Sequence, residues 1–299
     1  MLNEKQVPRE VHPARGVGAL DDKSCPNCGS ATVSAFCAEC GERQPSRADY
    51  STRHLLTEAF HELANVDGRL WRSVVALLSK PGFLTAEYFA GRRSRYMRPF
   101  SLFVLLNVAF FFVQPYTGLL RYSYEMYTSS NDGLAAMAKA KQEALGVSPV
   151  VFAQRMDDEL RDEKKSLLLV AVPLFAAVLL LLYAGSTRVY VEHLVFSVHS
   201  YAFFLFYFAA FSTFGWAVLS LLYKASPITR PSIRFLSGEA GIMLTLAIAL
   251  VPYLTFGLRR FYGSSMLSSV ARAFVLFVTF QLLILVFRNV LFHTALLFV

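Results

Sequence analysis

Hydrophobic positions along the chain follow two regimes that meet at Pro99. Before it, apolar residues recur at helical spacing among charges. Leu55, Leu56, Ala59, Phe60 and Leu63 form one stripe, and Leu70, Trp71, Val74, Val75, Leu77 and Leu78 form a second. Asn65-Val66-Asp67-Gly68 divides the stripes, with Asp67 placed to cap the second helix, and Pro81-Gly82 ends it before a short helix over 83–90. These runs are shorter than the roughly 20 residues a bilayer crossing needs. They predict amphipathic helices within 50–98, either lying on the membrane surface or packed as a small soluble bundle.

After Pro99 the apolar stretches lengthen to spanning size. Five are predicted, over 99–120, 166–184, 194–223, 240–256 and 273–298. Pro173 is tolerable inside a bundle, and Pro252 interrupts the fourth stretch late. Four crossings are the alternative if 240–256 is re-entrant. Residues 121–165 carry mixed charge and helical patches and read as a small cap. The expected fold class is an all-α integral membrane bundle of about five spanning helices.

Composition supports that class. The 299 residues are 55% hydrophobic and 17% charged, with a mean hydropathy of +0.43. A soluble domain carries about 25% charged residues. Disorder, collagen and a disulfide-stapled secreted domain are excluded.

The net charge of +8 is unevenly placed. Between 68 and 98, Arg69, Arg72, Lys80, Arg92, Arg93, Arg95 and Arg98 stand against a single acid, Glu87. Such density beside a span reads as a cytoplasmic flank. Arg92, Arg93, Arg95 and Arg98 are expected to meet anionic lipid headgroups, at about 1 kcal/mol each. Nucleic acid is the rival partner and is disfavoured by the adjacent bilayer. Residues 1–20 lack a hydrophobic core, so no signal peptide is expected, and the N-terminus is placed in the cytoplasm. Alternation then puts 121–165 outside and the turns 185–193 and 257–272 inside. The loop 224–239 falls outside although Lys224, Arg230 and Arg234 run against the charge rule.

All four cysteines fall between Cys25 and Cys40, in the repeats Cys25-Pro26-Asn27-Cys28-Gly29 and Cys37-Ala38-Glu39-Cys40-Gly41. Two thiolates two residues apart reach one metal from a tight turn, and the trailing glycine accepts the positive φ that closes it. Two such turns predict a tetrahedral site with Cys25, Cys28, Cys37 and Cys40 as ligands. One structural zinc ion is the expected occupant, with iron as the alternative. The ribbon is expected over 25–44, with a minimal hairpin at 31–36 and a disordered polar tail over 1–24. The knob could also dock a cytoplasmic protein.

Polar residues inside apolar stretches are the remaining candidates. Glu192, His193 and His199 open the third span, and Arg288 sits late in the fifth. Ionisable groups at membrane depth are functional candidates by default, as a metal site, a proton relay or a pairing of Arg288 with Glu192 or Glu239. A structural polar network and headgroup contact are the competing readings. Asn107, Gln114 and Gln281 read as interhelical hydrogen bonders.

The chain resembles an uncharacterised bacterial membrane-protein family with an N-terminal zinc ribbon. The likeness rests on both cysteine repeats, Phe36, Glu42-Arg43-Gln44, Pro81-Gly82, Gly91-Arg92-Arg93-Ser94-Arg95-Tyr96-Met97-Arg98-Pro99-Phe100, and Tyr190-Val191-Glu192-His193-Leu194-Val195-Phe196 with His199. It covers most of 25–220 and implies an inner-membrane location with no established activity. Two classes of function stand: a non-enzymatic scaffold or docking protein, and a transporter or lipid-modifying protein using Glu192, His193, His199 and Arg288. No phosphate loop, G-x-S-x-G, H-E-x-x-H, repeat or channel filter appears in the sequence. The oligomeric state is not written in it.

Overall fold

The computed structural model describes residues 24–32, 35–41, 68–117, 123–162, 167–225 and 239–299. Among the described residues the regular elements are helices, in chain order α1 (Gly68–Ser79), α2 (Phe83–Phe89), α3 (Pro99–Thr117), α4 (Tyr124–Ser130), α5 (Asp132–Leu145), α6 (Pro149–Asp162), α7 (Leu167–Leu182), α8 (Tyr190–Ala210), α9 (Trp216–Ala225), α10 (Glu239–Tyr262) and α11 (Met266–Phe298). Phe211–Gly215 is a π-turn that joins α8 to α9. The expected tail over 1–24 falls, apart from Ser24, outside the described residues. So do the stripe at 55–63, the Asp67 cap and most of the loop 224–239.

The protein is an all-α bundle with helices of membrane-crossing proportions. Tyr190–Lys224, Gly241–Tyr262 and Met266–Phe298 are long and apolar enough to span, and Pro99–Val113 and Val170–Leu182 are shorter apolar helices. α8 is the axis. Every residue from Glu192 to Leu205 is buried, so this helix has no lipid-facing stripe. Its small polar residues fit that burial because Ser197 and Ser200 donate to the carbonyls of His193 and Phe196, one turn back. α3 and α7 pack on α8, and α10 pairs with α11. Phe203 stacks on Tyr253 at 3.6 Å, which joins the axis to α10.

The helices sort by end. The start of α8, the end of α10 and the start of α11 meet at one end, together with α1 and α2. Three tight contacts bind α1 and α2 there. Gly82 lies so close to Gly257 that an added Cβ would stand 2.6 Å from the Gly257 carbonyl oxygen. Arg260 donates to the Pro81 carbonyl at 2.9 Å, and Thr85 shares a buried 2.9 Å hydrogen bond with His199. The two helices are therefore neither a separate soluble bundle nor a loose surface layer. They are built into the bundle end, and the outer side of α1 leaves Trp71 and Val75 exposed.

Two spans run past their expected limits. α10 continues through Pro252 and Arg259-Arg260 to Tyr262, and α11 begins at Met266, ahead of Arg272. The turn expected over 257–272 is thus mostly helix. A charged side chain does not by itself end a helix, because the backbone hydrogen bonds form whatever the side chain. α11 has 33 residues. At 1.5 Å per residue it is about 50 Å long, well over a hydrocarbon core of about 30 Å.

Its far end serves as a platform. Leu291, Phe292 and Ala295 form a second core with Tyr127, Leu134, Phe152, Met156 and Leu160 from α4, α5 and α6. The helical patches expected in 121–165 are α5 and α6, and α4 joins them. Ser123 and Asn131 accept from the Met126 and Leu134 amides to start α4 and α5. Phe292→Ala is expected to weaken the docking of this cap by about 3 kcal/mol. Limited proteolysis should then cut within 123–162 faster while the remaining helices stay protected.

Candidate metal centre and buried polar groups

The two cysteine repeats fold as matched turns. The Gly29 amide donates to the Cys25 carbonyl at 2.8 Å, and the Gly41 amide donates to the Cys37 carbonyl at 2.9 Å. Gly29 has φ 79° and Gly41 φ 69°, the left-handed backbone that a glycine accepts without cost. A bridge between Ser24 and Ala31, with the Cys25 amide donating to the Ser30 carbonyl, pairs the first turn with the chain that leaves it. The hairpin expected at 31–36 includes residues 33 and 34, which lie outside the described residues.

The four sulfurs converge. Cys25 Sγ lies 3.6 Å from Cys40 Sγ, Cys28 Sγ lies 3.6 Å from Cys37 Sγ, and all four fall within 4.8 Å of one another. Four thiolates about 2.3 Å from one central ion sit about 3.8 Å apart at the corners of a tetrahedron. The spacing therefore fits a metal ion held by Cys25, Cys28, Cys37 and Cys40. Ser30 Oγ lies 2.9 Å from Cys28 Sγ and 3.1 Å from Cys37 Sγ, so its hydroxyl can favour a thiolate there. That contact holds the Cys37 thiol down at about 5 and also lowers Cys28, while burial pushes the Cys25 thiol up to about 11. Ser30 is a supporting residue that the cysteine spacing did not announce.

The polar residues of the spans have separate partners. Both oxygens of Glu192 are occupied: Oε1 accepts from Arg188 at 2.6 Å and Oε2 from the Val189 amide at 2.9 Å. That second bond caps the first turn of α8. Arg188 also donates to the Phe261 carbonyl and lies 4.1 Å from the centre of the Phe261 ring. His193 Nδ1 shares a 2.7 Å hydrogen bond with the Tyr262 hydroxyl. Tyr262 stacks on Tyr183 at 3.9 Å, and Arg272 covers Tyr183 at 4.2 Å. His199 turns to Thr85 instead.

Arg288 lies 5.6 Å from the Tyr127 ring centre, beside the cap. Sixteen residues of helix, about 24 Å, separate it from Arg272 at the His193 end. The four candidates Glu192, His193, His199 and Arg288 are thus not drawn into one shell. The Glu239 and Gln114 side chains lie outside the described residues. Arg188, Tyr262 and Thr85 went unnoticed in the sequence. Only Arg188 carried a signal, because it stands four residues before Glu192 on the approach to α8.

The basic turn before α3 is partly self-engaged. Arg92 forks onto Glu87, with Nε to Oε2 at 2.8 Å and a second contact from Nη2 to Oε1. The Glu87 contact pushes the Arg92 guanidinium further above its ordinary value. Arg93 lies 4.2 Å over the Tyr88 ring and donates to the Tyr88 carbonyl. Arg95 is exposed, and Arg98 is half-buried at the head of α3.

One family model matches this part of the chain. It is described as a protein of unknown function (DUF3667) and covers residues 67–111. The match takes in α1, α2, the basic turn and much of α3, and leaves out the cysteines. No curated protein and no solved structure matches the chain. The match agrees with an uncharacterised family and attaches no activity to these residues.

Proposed function

We propose that this is a multi-pass bacterial inner-membrane protein in which a zinc-clamped N-terminal knob acts as a cytoplasmic docking module. The observation that carries this reading is the closed sulfur cluster. With all four tetrahedral positions supplied by the chain, a bound zinc ion has no place for substrate and serves to hold shape. A knob held in that way offers a surface, and Phe36, beside Cys37, is 58% exposed. The cytoplasmic assignment is supported by charge. Arg69, Arg72, Lys80, Arg92, Arg93, Arg95 and Arg98 lie in or next to α1 and α2, at the bundle end that also carries Arg188, Arg259, Arg260 and Arg272.

The test compares proteins that co-purify from membranes with the native chain and with two variants. Phe36→Asp keeps every sulfur and should keep the metal while losing the partner. Cys25→Ser/Cys28→Ser should lose both. An unchanged partner set in a folded, metal-free variant overturns the docking role.

A further inference from the structure

One side of α1 is bound to the bundle and the other is open. Ser73 is wholly buried and accepts from the Met97 amide at 2.8 Å, while Val74 and Leu77 enter the main core. Trp71 and Val75 stand two residues to either side of Ser73. At about 100° per residue, both point away from it. Trp71 is 71% exposed and Val75 44%. Leu78, seven residues on from Trp71, continues the stripe and is half-buried against the core. Arg72 and, just past the end of α1, Lys80 are exposed as well.

The contacts of the inner side fix the depth of α1. Met97 stands two residues before Pro99, the first residue of α3. Gly82, three residues past α1, meets Gly257, which lies five residues, about 8 Å, inside the end of α10 at Tyr262. α1 therefore lies beside the ends of the apolar helices and not beyond them. That is the level at which a bilayer passes from acyl chains to headgroups.

The side chains suit that layer. Tryptophan pairs a large apolar ring with one N–H donor and gathers where one part of a residue is dry and another wet. A helix that rests in the interface carries such apolar residues together with basic ones. α1 has Arg69 and Arg72 and no acid in its sequence, so its charge matches an anionic lipid surface.

We propose that α1 is an in-plane anchor seated in the headgroup layer of an anionic bilayer. Trp71 and Val75 enter the acyl boundary, and Arg72 and Lys80 meet lipid phosphates. The sequence left open whether 50–98 lies on the membrane or packs as a bundle, and α1 does both, one on each side. None of these residues belongs to the sulfur cluster, so the anchor stands whether or not the docking role does.

The experiment reconstitutes the full chain in vesicles of phosphatidylcholine and phosphatidylglycerol and reads tryptophan emission. The chain has two tryptophans, Trp71 and Trp216, so Trp216→Phe leaves Trp71 as the sole reporter. Subtracting Trp71→Phe from the native chain yields the same signal if the first variant fails to fold. Lipids brominated near the headgroup are expected to quench Trp71 at least about twofold more than lipids brominated near the chain ends. Aqueous iodide should quench it less than about half as well as free tryptophan. At equal content, brominated phosphatidylglycerol should quench at least about twofold more than brominated phosphatidylcholine, and Arg72→Gln/Lys80→Gln should erase that excess.

Quenching by iodide without quenching by bromine puts the face in water. Protection from both puts a protein or a second copy on it, and stronger quenching from the chain ends puts it in the bilayer core. Each of these overturns the proposal. So does an excess for phosphatidylglycerol that is missing, or one that survives in Arg72→Gln/Lys80→Gln.

Discussion

Exchanging Gly82 for alanine is expected to strip α1 and α2 from the bundle end. Two costs act together. Gly82 has φ 72°, and a side chain in that left-handed region loses about 1–2 kcal/mol. The new Cβ would also stand 2.6 Å from the Gly257 carbonyl oxygen and 2.9 Å from its Cα. Both are backbone atoms, which cannot swing aside as the tip of a side chain can. Forced overpacking of this kind costs a further 1–3 kcal/mol, so the loss should reach about 4 kcal/mol.

Gly263→Ala is the control. Gly263 has φ 70° but open space around it, so only the backbone cost of about 1 kcal/mol applies. Thermal unfolding in detergent and protease cleavage between 79 and 83 would measure both variants. Equal losses at Gly82 and Gly263 would show that the close approach to Gly257 carries no weight.

The second large effect concerns the sulfur cluster. Cys25→Ser/Cys28→Ser is expected to abolish metal binding and unfold residues 24–41, while the helix content of the bundle is retained. Structural zinc sites hold their metal with an apparent free energy on the order of 10–16 kcal/mol at neutral pH, far more than a knob this small gains from its own burial. Metal uptake should also release protons. At neutral pH the Cys37 sulfur is already ionised, but the Cys25 thiol still holds its proton and must give it up to bind. Affinity therefore rises with pH and falls in acid. Elemental analysis of the native and variant proteins, with circular dichroism of each, checks the outcome. One metal per chain in the variant would refute it.

The parts of this fold that were readable from sequence are those governed by local rules. Cys-x-x-Cys-Gly turns and long apolar runs carry their geometry in spacing alone, so the convergence of the four cysteines and the bundle class could be read directly. Contacts between distant segments carry no such signature. Nothing near Gly82 announces Gly257, and nothing near Thr85 announces His199, because each meeting depends on how α2 seats against α8 and α10. Charge misled at the ends of the spans. Arg259, Arg260 and Arg272 looked like loop residues, yet they sit within helices. Grouping Glu192, His193, His199 and Arg288 failed for a similar reason. Membrane depth read along the chain does not say which way a side chain points or which neighbour claims it.

The length of α11 also has a mechanical meaning. One continuous rod is gripped at its start by Tyr183 under Arg272 and at its end by the cap around Phe292. A load that tilts the cap must tilt this rod, and the rod's foot then presses on the stacked tyrosines beside Arg188 and Glu192. The cap and the opposite end of the bundle are thereby joined by a single continuous element.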